Sequence, residues 1–178
     1  MLLHVCSLRA AENCKRNFDA VLTLESPVTD RKERLRFRAQ PAPDHLVLRF
    51  EDIDYGPPTV TLPNRDHARQ VLEFGRKHAS ARLLVHCHAG LSRSTAAVLA
   101  ILADRLGPGR EHAALNELLR LRPEAVPNLA LTSAADEELG RGGNLYSVVV
   151  AKNSVTPEWE AYRQRKQALF DRNPHAFS

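Results

Sequence analysis

The stretch Val85-His86-Cys87-His88-Ala89-Gly90-Leu91-Ser92-Arg93-Ser94-Thr95 decides how this chain is read. Before it, RLLVHC (Arg82 to Cys87) is a short apolar run, the composition of a central parallel strand covered on both faces. After it, STAAVLAILADRL (Ser94 to Leu106) is small and apolar almost all round, as a buried helix is, and Gly107 followed by Pro108 marks its end. A strand, a short loop and a helix N-terminus make a pocket for an oxyanion. First-turn N–H groups lack partners there and the helix macrodipole is positive.

The residues in the loop fit that pocket. Cys87 stands where a helix N-terminus and an arginine favour the thiolate, which makes it the candidate nucleophile. Arg93 lies six positions on, and its planar fork suits two phosphoryl oxygens at once. Gly90 permits the backbone turn that an inward-pointing nest of N–H groups needs. Ser94 opens the helix and can donate its hydroxyl to the sulfur, although capping is the usual job of a serine there. A lone cysteine closing an apolar strand reads as core; it is the joint pattern that reverses this. His86 and His88 flank the cysteine, but strand neighbours point to opposite faces and no further clustered ligands accompany them, so no metal site is expected.

HCHAGLSRS resembles, position for position, the H-C-x-x-G-x-x-R-[ST] signature of the protein tyrosine phosphatase superfamily, and it is most similar to the small dual-specificity-type branch, bacterial-type tyrosine phosphatases included. The resemblance implies an α/β fold with a central, mainly parallel sheet flanked by helices, and a reaction without cofactor. It implies that Cys87 forms a phosphocysteine intermediate, Arg93 binds the phosphoryl group, Ser94 assists release of the thiolate and His86 orients the loop and tunes the cysteine. His88, Ala89, Gly90, Leu91, Ser92 and Arg93 would wrap the phosphate. Asn128, in RPEAVPN, would brace the loop, with an ordinary helix N-cap as the equal alternative.

Thiolate chemistry on a phosphoester needs a proton donor for the leaving oxygen. HLVLRFED (His45 to Asp52) alternates like a strand and ends in acids, at the carboxyl edge where functional groups gather in open α/β sheets. In the resembled family the acid follows such a strand at a similar separation. Asp52 is the expected donor, Asp54 the alternative and Glu51 a distant third. Spacing alone leaves Asp52 and Asp54 unseparated.

Composition bounds the rest. The 178 residues, 43% hydrophobic and 26% charged, suit one globular domain over 1–178, which the resemblance implies is phosphatase-like. A net charge of +4 with Lys and Arg dispersed suits an anionic substrate without demanding nucleic acid, and aromatics are sparse at 6%. Cys6, Cys14 and Cys87 are an odd count without framework spacing, which points to a reducing, cytoplasmic setting. No apolar run is long enough to span a bilayer and no leader is visible, so no membrane partner is expected. Nothing in the sequence sets an oligomeric state.

Around the central motif the chain alternates. LLHVC reads as a strand, SLRAAENCKRN as a helix capped by Ser7, and FDAVLTL as a second strand. RLRFRA has the alternation of an edge strand. Helices are expected from Asn64 to about His78, over GREHAALNELLRLR and over LALTSAADEEL. NLYSVVV reads as an added strand and EWEAYRQRKQALF as an amphipathic helix with Trp159, Tyr162, Lys166 and Leu169 or Phe170 in one stripe. Residues 144–171 would thus be a strand-and-helix elaboration. The whole reads as a metal-independent phosphatase for phosphotyrosine or a related phosphomonoester, on a protein or a small molecule. The loop's His88, Ala89, Leu91 and Ser92, free of lysine, weigh mildly against a lipid. Rival readings are a rhodanese-like sulfurtransferase and a non-catalytic phosphopeptide-binding module.

Overall fold

The computed structural model describes residues 2–37 and 42–172. Four strands, β1 (Leu2–Ser7), β2 (Ala20–Glu25), β3 (Asp44–Arg49) and β4 (Arg82–Cys87), form one wholly parallel sheet in the order β1-β4-β2-β3. Among the described residues seven α-helices flank it: α1 (Leu8–Cys14), α2 (Arg65–Lys77), α3 (Arg93–Leu106), α4 (Glu111–Leu121), α5 (Leu129–Glu138), α6 (Asn144–Ser154) and α7 (Pro157–Arg172). This is the α/β class that the alternating pattern predicts. β4 lies between β1 and β2, so its carboxyl end opens in the middle of the sheet, where a parallel sheet presents its ligands.

Strand parity sorts the side chains. Leu83, Val85 and Cys87 of β4 join Leu22 and Leu24 of β2 in the large core with α3, whose Ala96 to Ala103 are all buried. The opposite face carries Leu84 of β4 and Val21 of β2 under a smaller cluster of Cys6, Ala11, Phe18 and Leu35. Burial of α3 on every side explains why its sequence is apolar all round. Its end is set by Gly107, whose φ of 82° is the left-handed conformation that glycine adopts without strain. α2 begins with a reciprocal cap, Asn64 accepting from the His67 N–H while the His67 ring accepts from the Asn64 N–H.

Two sequence expectations fail, each for a visible reason. Residues 34–37 of RLRFRA form no strand; the rest of that segment lies outside the described residues. Its alternation arises because Leu35 and Phe37 pack on the Phe18, Val21 and Leu84 cluster. NLYSVVV is helix α6, not a strand. The Asp136 carboxylate accepts hydrogen bonds from the N–H groups of Gly143, Leu145 and Tyr146 at 2.6, 2.6 and 3.0 Å, completing the helix start from a distance. Leu145, Val148 and Val149 then bury one helical face. That cap and face override the strand preference of valine.

α7 forms as expected, with Trp159, Arg163, Lys166 and Phe170 on its buried face and Leu169 exposed. No helix among the described residues is long and apolar enough to cross a membrane. Leu99 is fully buried at the centre of α3, so Leu99→Ala is expected to cost about 3 kcal/mol by leaving a cavity beneath the sheet. Urea unfolding midpoints of the two proteins check this.

Candidate active site

Cys87 closes β4 and faces the core side of the sheet, 1% exposed. Its Sγ accepts a hydrogen bond from the Gly90 N–H at 3.3 Å and lies 3.2 Å from Ser94 Oγ. The loop can curl this tightly only with glycine at position 90. Its φ is 71°, and a Cβ there would stand 2.4 Å from the Cys6 carbonyl carbon of β1. The loop's carbonyls are tied outward: His88 O to Leu8 N at 3.1 Å, Leu91 O to Val126 N at 2.8 Å, and Ser92 O to Ala96 N at 3.0 Å and Asn128 N at 3.3 Å. With carbonyls engaged on the outside, the loop's N–H groups are left to turn toward the sulfur, as that of Gly90 does.

Arg93 starts α3 and is 2% exposed. One terminal nitrogen donates to Ser26 Oγ at 3.1 Å and to the Phe50 carbonyl at 3.0 Å, and Nε lies 3.6 Å from Asp52 Oδ2. The guanidinium is thereby held from the ends of both β2 and β3. Together with Thr23, Glu25, Ser26, Thr29, His86 and His88, Cys87 and Arg93 line an open cavity. The segment that follows β2 thus supplies part of the wall through Ser26 and Thr29, and neither Asp52 nor Asp54 lines the cavity.

The placement of Asp52 runs against the role of proton donor expected for it. The side chain is buried behind Arg93, and Oδ1 accepts from Ser92 Oγ at 2.7 Å and from Lys166 Nζ at 3.1 Å, with Asn128 Nδ2 at 3.4 Å. Burial pushes its carboxyl up, but the charges of Lys166 and Arg93 and the hydrogen bonds from Ser92 and Lys166 outweigh burial and hold it at about 2. Asp54 is likewise anchored, accepting from Leu129 N at 2.7 Å and from Arg163 at 3.0 Å. Glu51 is buried. Asn128 does two jobs at once: its Oδ1 caps α5 through Leu131 N at 2.9 Å, and its Nδ2 donates to Ile53 O at 3.1 Å.

His86 points to the opposite face from Cys87. Its Nε2 and that of His45 each lie 2.7 Å from Thr23 Oγ1, a relay across three strands in which the one hydroxyl proton serves one ring and a lone pair the other. Burial lowers His86 to about 4, so it is neutral at pH 7. Lys166, Arg163, Thr23 and His45 were not singled out as site residues from the sequence. The one signal was Lys166, a charge inside the apolar stripe of α7. Among the described residues His4, Cys6 and Cys14 also bring their ligating atoms within 4.8 Å of one another, on β1 and α1, a grouping that their spacing does not announce.

A parallel sheet whose central strand delivers a cysteine into an arginine-closed loop at a helix N-terminus defines a cysteine phosphatase fold. No family model matches the chain. It is 33% identical over 168 residues to human dual specificity protein phosphatase 12, covering 89% of this chain and 46% of that protein; the chain thus spans about half the length of the curated relative it matches. Among solved structures it superposes on Tk-PTP in its active form (TM-score 0.58, 21% identity, 79% of this chain and 93% of that one). Human DUSP28 gives a TM-score of 0.57 at 21% identity over 78% and 91% of the chains, and the Yvh1 phosphatase domain of Chaetomium thermophilum 0.54 at 21% over 80% and 93%. The chain thus shares its fold with solved tyrosine and dual-specificity phosphatase structures and is similar in sequence to dual specificity protein phosphatase 12 over part of that protein's length.

A buried imidazole kept neutral makes stability depend on pH. The unfolded chain takes up the His86 proton near pH 6.5 and the folded one only near 4, so stability is full above 6.5 and falls through that window by on the order of 3 kcal/mol. Urea unfolding of wild type is expected to weaken more steeply between pH 6.5 and 4.5 than that of His86→Gln. Parallel curves would contradict the assignment.

Proposed function

We propose that this protein is a metal-independent phosphatase that hydrolyses phosphotyrosine or a related phosphomonoester, on a protein or a small molecule, through a phosphocysteine intermediate. The observation that carries the reading is Cys87 Sγ set between the Gly90 N–H at 3.3 Å and Ser94 Oγ at 3.2 Å, in one cavity with Arg93. The thiolate attacks phosphorus in line, an S–P bond forms and the bond to the leaving oxygen breaks. Arg93 and the loop N–H groups hold the three equatorial oxygens as charge spreads over them. Water then attacks the phosphocysteine, phosphate departs and the sulfur leaves as thiolate, steadied by the Ser94 hydroxyl.

The leaving oxygen decides the substrate. A phenolate departs readily without a proton, whereas an alkoxide needs a positioned acid. Asp52 and Asp54 as placed both serve as anchors, so we favour aryl esters such as phosphotyrosine over phosphoserine and phosphothreonine. In this reading Asp52 is a brace: its carboxylate fixes Arg93 and Ser92 in the orientation that receives phosphate. Asn128 supports the same loop. We read residues 1–178 as one domain, because α7 places Trp159 in the main core and Lys166 against the phosphate loop. Three free cysteines fit a cytoplasmic location.

Turnover of an aryl phosphate in the presence of a metal chelator is expected for wild type and is expected to fall by at least about a thousandfold in Cys87→Ser, as removal of a nucleophile does. Activity that survives the substitution or vanishes with the chelator would remove the proposal, and sulfur transfer from thiosulfate in place of phosphate release would turn it to a sulfurtransferase. For Asp52→Asn a brace predicts the same fractional loss on aryl phosphates with good and poor leaving groups. A loss confined to the poor leaving groups would restore Asp52 as the acid.

A further inference from the structure

We propose that Lys166 of α7 is a positioning residue of the phosphate loop, whose charge offsets the Asp52 carboxylate so that Arg93 keeps its own for the incoming oxyanion. This rests on the phosphatase reading and adds to it a residue 73 positions beyond Arg93 (166 − 93). Lys166 Nζ donates to Asp52 Oδ1 at 3.1 Å and to Ser92 Oγ at 3.0 Å, while Ser92 Oγ donates to the same Asp52 oxygen at 2.7 Å. The ammonium is thus hydrogen-bonded both to the brace and to a side chain of the loop itself. Its side chain is 5% exposed, that of Asp52 10% and that of Arg93 3%.

Charge counting gives the reason. With Arg93 alone, a buried carboxylate 3.6 Å from its Nε would leave the pair neutral, and an oxyanion would meet a cation already answered by an anion. Adding Lys166 makes the set of three +1 in all (+1 +1 −1), with the carboxylate nearer to lysine at 3.1 Å than to arginine. The three side chains are buried, so the difference is weakly screened across the set. A buried ammonium carries a large desolvation cost. A leucine or methionine would suit the stripe between Trp159 and Phe170 without that cost. Packing of α7 therefore does not account for a lysine at this position, whereas the carboxylate does. Arg163, on the same face, makes the parallel arrangement with Asp54 at 3.0 Å and with the Pro127 carbonyl at 2.7 Å.

The test is a double-mutant cycle on binding, which requires no turnover. In the full chain carrying Cys87→Ser, calorimetry measures the affinity for inorganic phosphate. Lys166→Gln, which keeps a donor to Ser92 and Asp52 but loses the charge, is expected to weaken binding roughly tenfold. Lys166→Arg, which keeps the charge, is expected to stay within about threefold. In an Asp52→Asn background the Lys166→Gln change should cost less than about twofold, because no carboxylate is left to offset. A role confined to docking α7 predicts the same loss in both backgrounds, and that result, or unchanged binding in Lys166→Gln, overturns the proposal. Failure of the phosphatase reading alone would look different: phosphate affinity would still follow the charge at position 166 while wild type released no phosphate from an aryl ester. A Cys87→Ser protein that binds no phosphate overturns both.

Discussion

The carboxylate of Asp52 is the point on which the site depends. Three segments remote in sequence meet at its two oxygens: the phosphate loop through Ser92 and Arg93, the α5 start through Asn128, and the C-terminal helix through Lys166. A buried anion holding several buried donors is costly to create and more costly to leave half-paired, since each lost partner exposes the desolvation of the rest. The arrangement is therefore close to all-or-none. Its pH behaviour has the same sign as that of His86 but falls in a more acidic window. With its pKa lowered to about 2 in the folded state, Asp52 contributes stability that is present above the unfolded carboxyl pKa, near 3.9, and is lost as pH falls toward 2.

Around that anchor the phosphate loop is shaped by backbone constraints. Gly90 approaches β1 closer than any side chain would allow, and the outward carbonyls of His88, Leu91 and Ser92 are each held by a neighbouring element. The sulfur of Cys87 accordingly accepts from the Gly90 N–H, a donor of the polarity that a phosphoryl group requires. Arg93 is held from β2 and β3 before any ligand arrives, so little ordering is left for the moment of reaction.

What could be read from the sequence follows from range. HCHAGLSRS is local: nine residues carry strand end, turn glycine, arginine and helix start, and the structure gathers them as the pattern implies. α1, α2 and α5 were legible because their side-chain caps are equally local, and α4 and α7 because of their apolar spacing. Asp52 was legible as an acid after a strand, but its contacts were not, because its partner Lys166 lies 114 residues away (166 − 52). α6 misled for the same reason: NLYSVVV has strand composition, and the Asp136 carboxylate that caps it as a helix belongs to the preceding helix. Alternation in RLRFRA recorded packing of a loop on a sheet face, which has the same period as a strand.

The central claim is that Cys87 carries the phosphoryl group. Rapid acid quenching of wild type during turnover of an aryl phosphate, followed by peptide mass spectrometry, measures this directly. The account predicts a phosphate adduct on the peptide containing Cys87, absent when Cys87→Ser is treated alike. An active enzyme that accumulates its adduct on another residue, or turns over fully with Cys87 replaced, would contradict it.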